Sequence, residues 1–409
     1  MSHCSDVMVS LEIRNLLAAL IVASGSWLAW GADPMDAAGA TSWQTLLAPA
    51  PSWAELTENL GRLWHDPAAP GLQEFWLLGR YHGQFHSAHG SAGESQDWEN
   101  RRYRMGAQAR LLEKLTVHAQ AISGSDWEPV YNGFTELWVQ WACHPTLAFT
   151  VGQQKHRFTH DRNVSSRYLN VFERSLLVNQ FLLDYTPAVT LSGQTEQWAY
   201  YTGLFSNATS GNMGRAFTEL DSGVSFLSSA TLNLKPWVPT DTAYWNVGYL
   251  YSDAKASATN LSRFDHGVST ALILTEGPLS VVAEGLTGLA GEDGDAVALN
   301  LQLGYFVTDQ WQVAFRYQVA GATKDDGLRG QRRYENRAGL ASGDSYQAAY
   351  LGVNYHIAAH RLKLMTGVEY ATLGGEDLWT AMTGIRLFWG PHSGGPFPMA
   401  QTLKGWRQD

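Results

Sequence analysis

Tyr346–Ile357 reads YQAAYLGVNYHI, and its apolar residues recur with a period of two. Gln347, Ala349, Leu351, Val353, Tyr355 and Ile357 fall on one side, and Tyr346, Tyr350, Asn354 and His356 on the other. Successive side chains of an extended chain point to opposite faces, so this is a strand with one mainly apolar and one mainly polar face. The pattern continues outward in both directions. Leu362, Leu364, Val368 and Tyr370 oppose Lys363 and Glu369, and Trp379, Ala381, Ile385, Leu387 and Trp389 oppose Thr380, Met382, Gly384 and Arg386. Upstream, Trp311, Val313, Phe315, Tyr317 and Val319 oppose Gln312, Arg316 and Gln318. Near the start, Phe75, Leu77, Gly79, Tyr81, Gly83 and Phe85 oppose Trp76, Leu78, Arg80, His82, Gln84 and His86. The same reading predicts sixteen strands, near 73–87, 101–112, 114–122, 133–142, 146–154, 187–193, 196–206, 222–234, 242–253, 265–275, 278–287, 295–307, 310–320, 345–357, 360–371 and 377–389.

Composition decides which face is inside. Only 16% of the 409 residues are charged, against roughly 25% in soluble domains. There are 17 Trp, 17 Tyr and 40 Gly. No apolar run in the body of the chain reaches the ~18 residues of a membrane-spanning helix. Together these point to an all-β fold, a transmembrane antiparallel β-barrel of about sixteen strands with lipid outside and polar side chains inside. A barrel of that size encloses an aqueous channel. A soluble all-β protein is the competing reading. Aromatics near strand ends, among them Trp311, Tyr317, Tyr355, Trp379 and Trp389, suit interfacial girdles. A formal net charge of −10 gives no support for nucleic-acid binding. No long repeat suggests a propeller or solenoid, and no cofactor is expected.

The ends carry other signals. Leu16–Ala23, LLAALIVA, follows Arg14 and precedes the small residues Ala29 and Gly31, as in a secretory signal cleaved near Gly31. A start at Met8 makes that signal cleaner. Residues 1–31 are therefore expected to be removed with Cys4, leaving Cys143 without an intrachain partner and read as a small apolar filler. Residues 32–72 form a periplasmic segment, in which Ser52–Leu63 has helical spacing and a Ser52/Glu55 capping box. Residues 73–389 form the barrel. The tail 390–409, GPHSGGPFPMAQTLKGWRQD, is read as disordered. Short turns such as Thr308–Asp309 are expected on the periplasmic side, and long polar loops such as Gly321–Asp344 outside.

One stretch breaks the alternation. Val151–Leu176 reads VGQQKHRFTHDRNVSSRYLNVFERSL, with Lys155, Arg157, Arg162, Arg167 and Arg174 against Asp161 and Glu173. Its aromatic and aliphatic residues argue against disorder, and a long loop in a regular fold is usually functional. It is expected to fold into the barrel lumen. The elements VGQQKHRF, SSRYL and NVFERSLL, in this order, resemble the phosphate-selective porin O and P family, and Gly203–Asn207, GLFSN, is similar to a further strand end of that family. The resemblance covers roughly Phe75–Trp389. It implies a sixteen-stranded outer-membrane channel of a Gram-negative-type cell, assembled as a homotrimer, whose loop 151–186 narrows the pore. Here proline is absent after Arg157, and His160-Asp161-Arg162 replaces the usual acidic residue.

A channel selects anions by lining its narrow part with Arg or Lys, which compensate the charge of an ion stripped of water. The wall candidates are Arg80, Arg102, Arg104, Arg110, Arg316 and Arg386, all on polar registers. The loop candidates are Lys155, Arg157, Arg162, Arg167 and Arg174. The competing reading for each is an ion pair that only stiffens the loop, and it is favoured for Arg174 beside Glu173. Arg102 and Arg104 are the preferred exposed ladder. His82/His86 and His156/His160 have poor spacing for a metal site, and a pore-lining His would make the channel's charge pH-dependent. The function expected is a passive channel for small solutes, anion-leaning toward phosphate or other oxyanions, with outer-membrane lipid around it. Alternatives are a general or carbohydrate-permeable channel and, remotely, a barrel enzyme acting on lipids. No catalytic residue stands out.

Overall fold

The structure is a computed structural model and describes residues 57–391, apart from 182–183, 209–211, 219–221 and 255–262. Sixteen antiparallel strands close into a ring. In chain order they are β1 (Leu72–Gly90), β2 (Gly93–Leu111), β3 (Leu115–Ile122), β4 (Phe134–His144), β5 (Leu147–Lys155), β6 (Tyr185–Gln194), β7 (Trp198–Ser206), β8 (Gly223–Asn233), β9 (Thr242–Ala254), β10 (His266–Glu276), β11 (Leu279–Leu289), β12 (Ala296–Phe306), β13 (Trp311–Ala322), β14 (Ser345–Ala358), β15 (Leu362–Leu373) and β16 (Glu376–Trp389). Each pairs with its neighbour in sequence, and β16 closes on β1 from Trp379↔His89 to Trp389↔Gly79. Gly79 is required there, because the Trp389 indole occupies the space a Cβ would fill.

The side-chain pattern is inverted relative to a soluble barrel. Leu299 is 61% exposed on the outer face while Asn354, inside, is 0% exposed. Leu77, Met105, Leu204, Val268 and Leu351 share the outer surface, and Arg80, His82, Gln84, Gln318 and Lys363 are buried inside. Trp311 packs on Tyr355 and Trp379 on Tyr370, at 4.6 and 4.8 Å, as exterior aromatics near strand ends.

Every predicted strand is present. The largest boundary difference is at β2, which begins at Gly93 rather than near 101. The β1–β2 hairpin runs past the end of β3, which pairs with β2 only as far as Arg104↔Ile122. Residues 93–100 are mostly polar on both faces, Asp97 and Glu99 meeting Arg337 and Arg333, so no apolar alternation marks them. The expected helix over Ser52–Leu63 does not persist to its end. Described residues begin at Thr57, Gly61 adopts φ +93°, and Arg62–His65 forms a short strand on β1. Apolar spacing suited a helix there, but the left-handed glycine breaks it and edge pairing takes over. The expected signal segment and the tail from residue 392 lie outside the described residues.

Short turns, including the one at Thr308–Asp309, share a rim with both ends of the barrel, and the long connections share the other rim. Two of these long connections turn inward. The 156–184 connection contributes Phe158, Val171, Phe172, Leu176, Val178 and Phe181 to an apolar core inside the ring. The 323–344 connection adds Leu328, Tyr334, Ala338 and Leu340. Wall residues of β6–β9 and β11–β16, with Ala88 of β1, pack on these loops, and no residue of β2–β5 belongs to this core.

Candidate functional site

The 156–184 loop is braced by its own side chains. Thr159 Oγ1 accepts from the Arg162 N–H at 2.9 Å and caps a single helical turn, α1 (His160–Asn163). Arg174 donates to the carbonyls of Asp161 (2.6 Å) and Val164 (2.7 Å), and the Asp161 carboxylate accepts from Ser175 N at 2.8 Å. Arg174 therefore pairs with Asp161, at 3.8 Å, and not with its neighbour Glu173. Glu173 is held by Arg101 at 2.6 Å and approached by Arg102 at 3.9 Å. Burial would raise its carboxyl, but the charge and hydrogen bond of Arg101, with Arg102 and Arg333, hold it well below the usual carboxylate range.

The wall then grips the loop backbone. Arg386 donates to the carbonyls of Ser166 (3.2 Å), Val171 (3.3 Å) and Phe172 (2.6 Å). Arg316 joins the Glu173 carbonyl to the Glu369 carboxylate, at 2.5 and 3.0 Å. Lys363 donates to the Leu169 carbonyl at 2.6 Å, and Asn354 to the Asn170 carbonyl at 2.9 Å. An irregular loop has carbonyls without ladder partners, and buried donors on the wall satisfy them.

Across the lumen, between the loop and strands β1–β7, lies a cavity of about 490 Å³. Eight of the eleven predicted residues line it: Arg80, Arg102, Arg104, Lys155, Arg157, Arg162, Arg167 and Arg174. The other three do not. Arg316 and Arg386 have the expected inward register but are consumed by loop carbonyls and Glu369. Arg110 sits exposed at the β2 end, donating to the Glu113 carbonyl at 3.3 Å. Arg101 also lines the cavity and was not expected. Strict alternation would turn it outward, but the β1–β2 register slips between His82↔Arg102 and Gly83↔Asn100, and this bulge frees it to reach Glu173. Glu136 is a further lining residue. It lies on the inward register of β4 with Trp138 and Gln140, a signal that a search for cations passes over.

Partners separate the nine lining cations. Arg101, Arg102, Arg162 and Arg174 each have a carboxylate within reach. Arg80 donates instead to Ser166 Oγ (2.6 Å) and Ser165 Oγ (3.5 Å), and Arg104 to the Tyr185 hydroxyl (2.9 Å). Lys155 donates to the Asn163 and Val164 carbonyls at 3.4 Å, and Arg167 to the Pro391 carbonyl at 3.0 Å. Arg157 lies over the Tyr201 ring at 5.8 Å. These five have no ion-pair partner among the described residues. Arg102 and Arg104 do not form an open ladder: Arg102 is near Glu173 and Arg104 is bonded to Tyr185.

The loop histidines are not pH sensors near neutrality. Burial, with the Arg162 charge, pushes His156 down to about 3, and burial pushes His160 down to about 4 against the opposing pull of Asp161. Among the described residues no cluster of three or more His, Cys, Asp or Glu is placed to hold a metal ion. Ser95 Oγ is 3.1 Å from His86 Nε2, but His86 Nδ1 is buried without a partner, so no third group orients that imidazole. Cys143 is half-buried near the end of β4.

The sequence profile of the family described as phosphate-selective porin O and P matches residues 77–372, well over half the chain. No curated protein matches. Among solved structures, the chain is similar to OmpF of Salmonella typhi (TM-score 0.53, 9% identity, 80% of this chain and 100% of that one). It is also similar to the outer-membrane expressed OmpT of Vibrio cholerae (TM-score 0.52, 12% identity, 79% and 99%). The outer-membrane channel DcaP of Acinetobacter baumannii matches with TM-score 0.50 and 10% identity over 80% and 100%. At these identities the likeness is one of fold.

Proposed function

The chain belongs to the phosphate-selective porin O and P family, and from that premise we propose that it conducts small hydrophilic anions through the cavity beside the inward loop. As a member it is a multi-pass β-barrel of the outer membrane and a passive channel. The anion preference rests on one observation. Arg80, Arg104, Lys155, Arg157 and Arg167 line the cavity without a carboxylate partner, while Glu136 and Asp184 are the acids lining it and Asp184 is 4.0 Å from Arg162. Such an excess of fixed positive charge, screened from bulk water by the wall, concentrates anions and repels cations. The guanidinium forks suit phosphate and carboxylate oxygens. In this reading the loop narrows the passage by filling the opposite side of the lumen. Outer-membrane lipid surrounds the apolar face, and the native assembly is a homotrimer, which chemical cross-linking in mild detergent tests.

The reversal potential of the refolded protein in asymmetric KCl tests the preference. A potential on the anion-selective side is expected, and a cation-selective one overturns the proposal. Tyr185, Tyr201, Trp138, Gln108 and Gln140 on the same lining favour a second reading, a channel for neutral sugars. Liposome swelling with sugars of graded size separates the two.

A further inference from the structure

Glu136 is out of place in an anion pathway. Its side chain lines the cavity and is half-buried. No hydrogen bond or ion pair joins its carboxylate to any described residue, though the Arg157, Arg104 and Lys155 charges act on it across the cavity. Its neighbours do not supply donors. Gln154, on the adjoining β5, spends its amide N–H groups on the carbonyls of Thr150, Gly152 and Ala188. Gln120, directly across on β3, pairs with Glu136 in the ladder but makes no side-chain bond to it. A partly desolvated carboxylate with no donor is costly unless something else meets it.

The strand register sets its height. Gly106, Gln120 and Glu136 share one rung across β2, β3 and β4, so Arg104 lies one inward position above that rung. Gln108, His118 and Trp138 form the rung below, and the His118 and Trp138 rings stack at 4.8 Å and 3°. Below Arg104, the cavity wall therefore carries a carboxylate and then aromatic rings. A carboxylate and an indole face together are what an ammonium group binds, through charge and through the ring quadrupole.

We infer that the cavity takes zwitterionic carboxylates, of which amino acids are the simplest, with the carboxylate toward Arg80 and Arg104 and the ammonium toward Glu136 and Trp138. This rests on the anion-channel reading and names a solute class for it. The competing role for Glu136 is a fixed counter-charge that weakens every anion alike.

The test is block of single-channel chloride current by L-aspartate and by succinate, which share two carboxylates and differ in the ammonium. In Glu136→Gln the half-blocking concentration of aspartate is expected to rise about tenfold, as for loss of a charge-assisted bond. That of succinate is expected to hold or fall. The aspartate-to-succinate ratio is read from single open channels, so it does not depend on folding yield. Equal changes for the two blockers, or none for either, overturn the inference while leaving the anion reading intact. Loss of chloride preference in the unmutated channel would instead overturn the reading beneath it.

Discussion

Arg104 on β2 and Arg386 on β16 have the same sequence signature: an arginine on the inward face of an alternating strand. Their surroundings differ completely. Arg104 meets a phenolic hydroxyl at the edge of a cavity, whereas Arg386 is buried under three carbonyls of the inward loop. The same contrast separates Arg80 from Arg316. The loop's backbone carbonyls are gripped from β13–β16. Toward β2–β7 it meets the wall at fewer points, such as Glu173 on Arg101 and His156 on Thr186, and a cavity remains between them. Inward charge on one side is therefore structural and on the other is available to a solute. In a channel, a cation's role depends on whether a carbonyl or carboxylate of the protein has already claimed it.

Substitutions on the two sides test this division. The largest effect is expected at the buried Arg316–Glu369 pair. Arg316→Met leaves the Glu173 carbonyl without its donor and the Glu369 carboxylate without its counter-charge, with only the Tyr334 hydroxyl still donating to it. Breaking a buried pair costs about 3–5 kcal/mol. Thermal unfolding in detergent reads the loss, and a variant as stable as the parent would break the comparison. Next is the cavity side. Arg80→Glu with Arg104→Glu should lower the anion-to-cation permeability ratio by about tenfold or more while changing stability less than Arg316→Met does. An Arg386→Met control should leave that ratio near the parent value.

Glu173→Gln sharpens the boundary. It releases Arg101 and Arg102 toward the cavity, so anion preference should rise, on the order of twofold, with a modest loss of loop stability. A fall in anion preference would show that Glu173 is not what neutralises them.

The smallest effects are with pH. His156 and His160, pushed down to about 3 and about 4, remain neutral from pH 8 to 5, and Glu173 remains charged, so the loop's contribution to reversal potential should stay flat. The 323–344 connection should respond. Burial, then the Glu369 charge, pushes its Glu335 carboxyl up to about 7. A carboxyl raised in the folded state contributes stability below its unfolded value and loses it as pH rises to the folded one. Amide exchange across residues 328–341, corrected for intrinsic rate, should be slower at pH 5 than at pH 8.

Much of the architecture was legible because it is local. Period-two alternation depends on adjacent residues, so β1 to β16 could be located and their faces assigned from the chain alone. Parity singled out Arg80, Arg102 and Arg104, and the basic stretch that breaks parity supplied the other five cations that gather at the same cavity. Parity failed where local geometry departed from the ideal. A bulge at Arg101 turned an expected outward residue inward, and Gly61 at positive φ ended a helix that apolar spacing favoured. Arg110 met the parity rule but sits at the strand's end, outside the cavity.

By itself, then, the sequence determined a barrel with apolar residues outside, arginines inside and one inward loop, because each of these follows from spacing along the chain. Only the tertiary structure decided which arginines are free. Compensation of a buried charge is a contact between distant segments, as when Arg386 meets Phe172 and Arg101 meets Glu173, and no spacing encodes which wall a loop leans on.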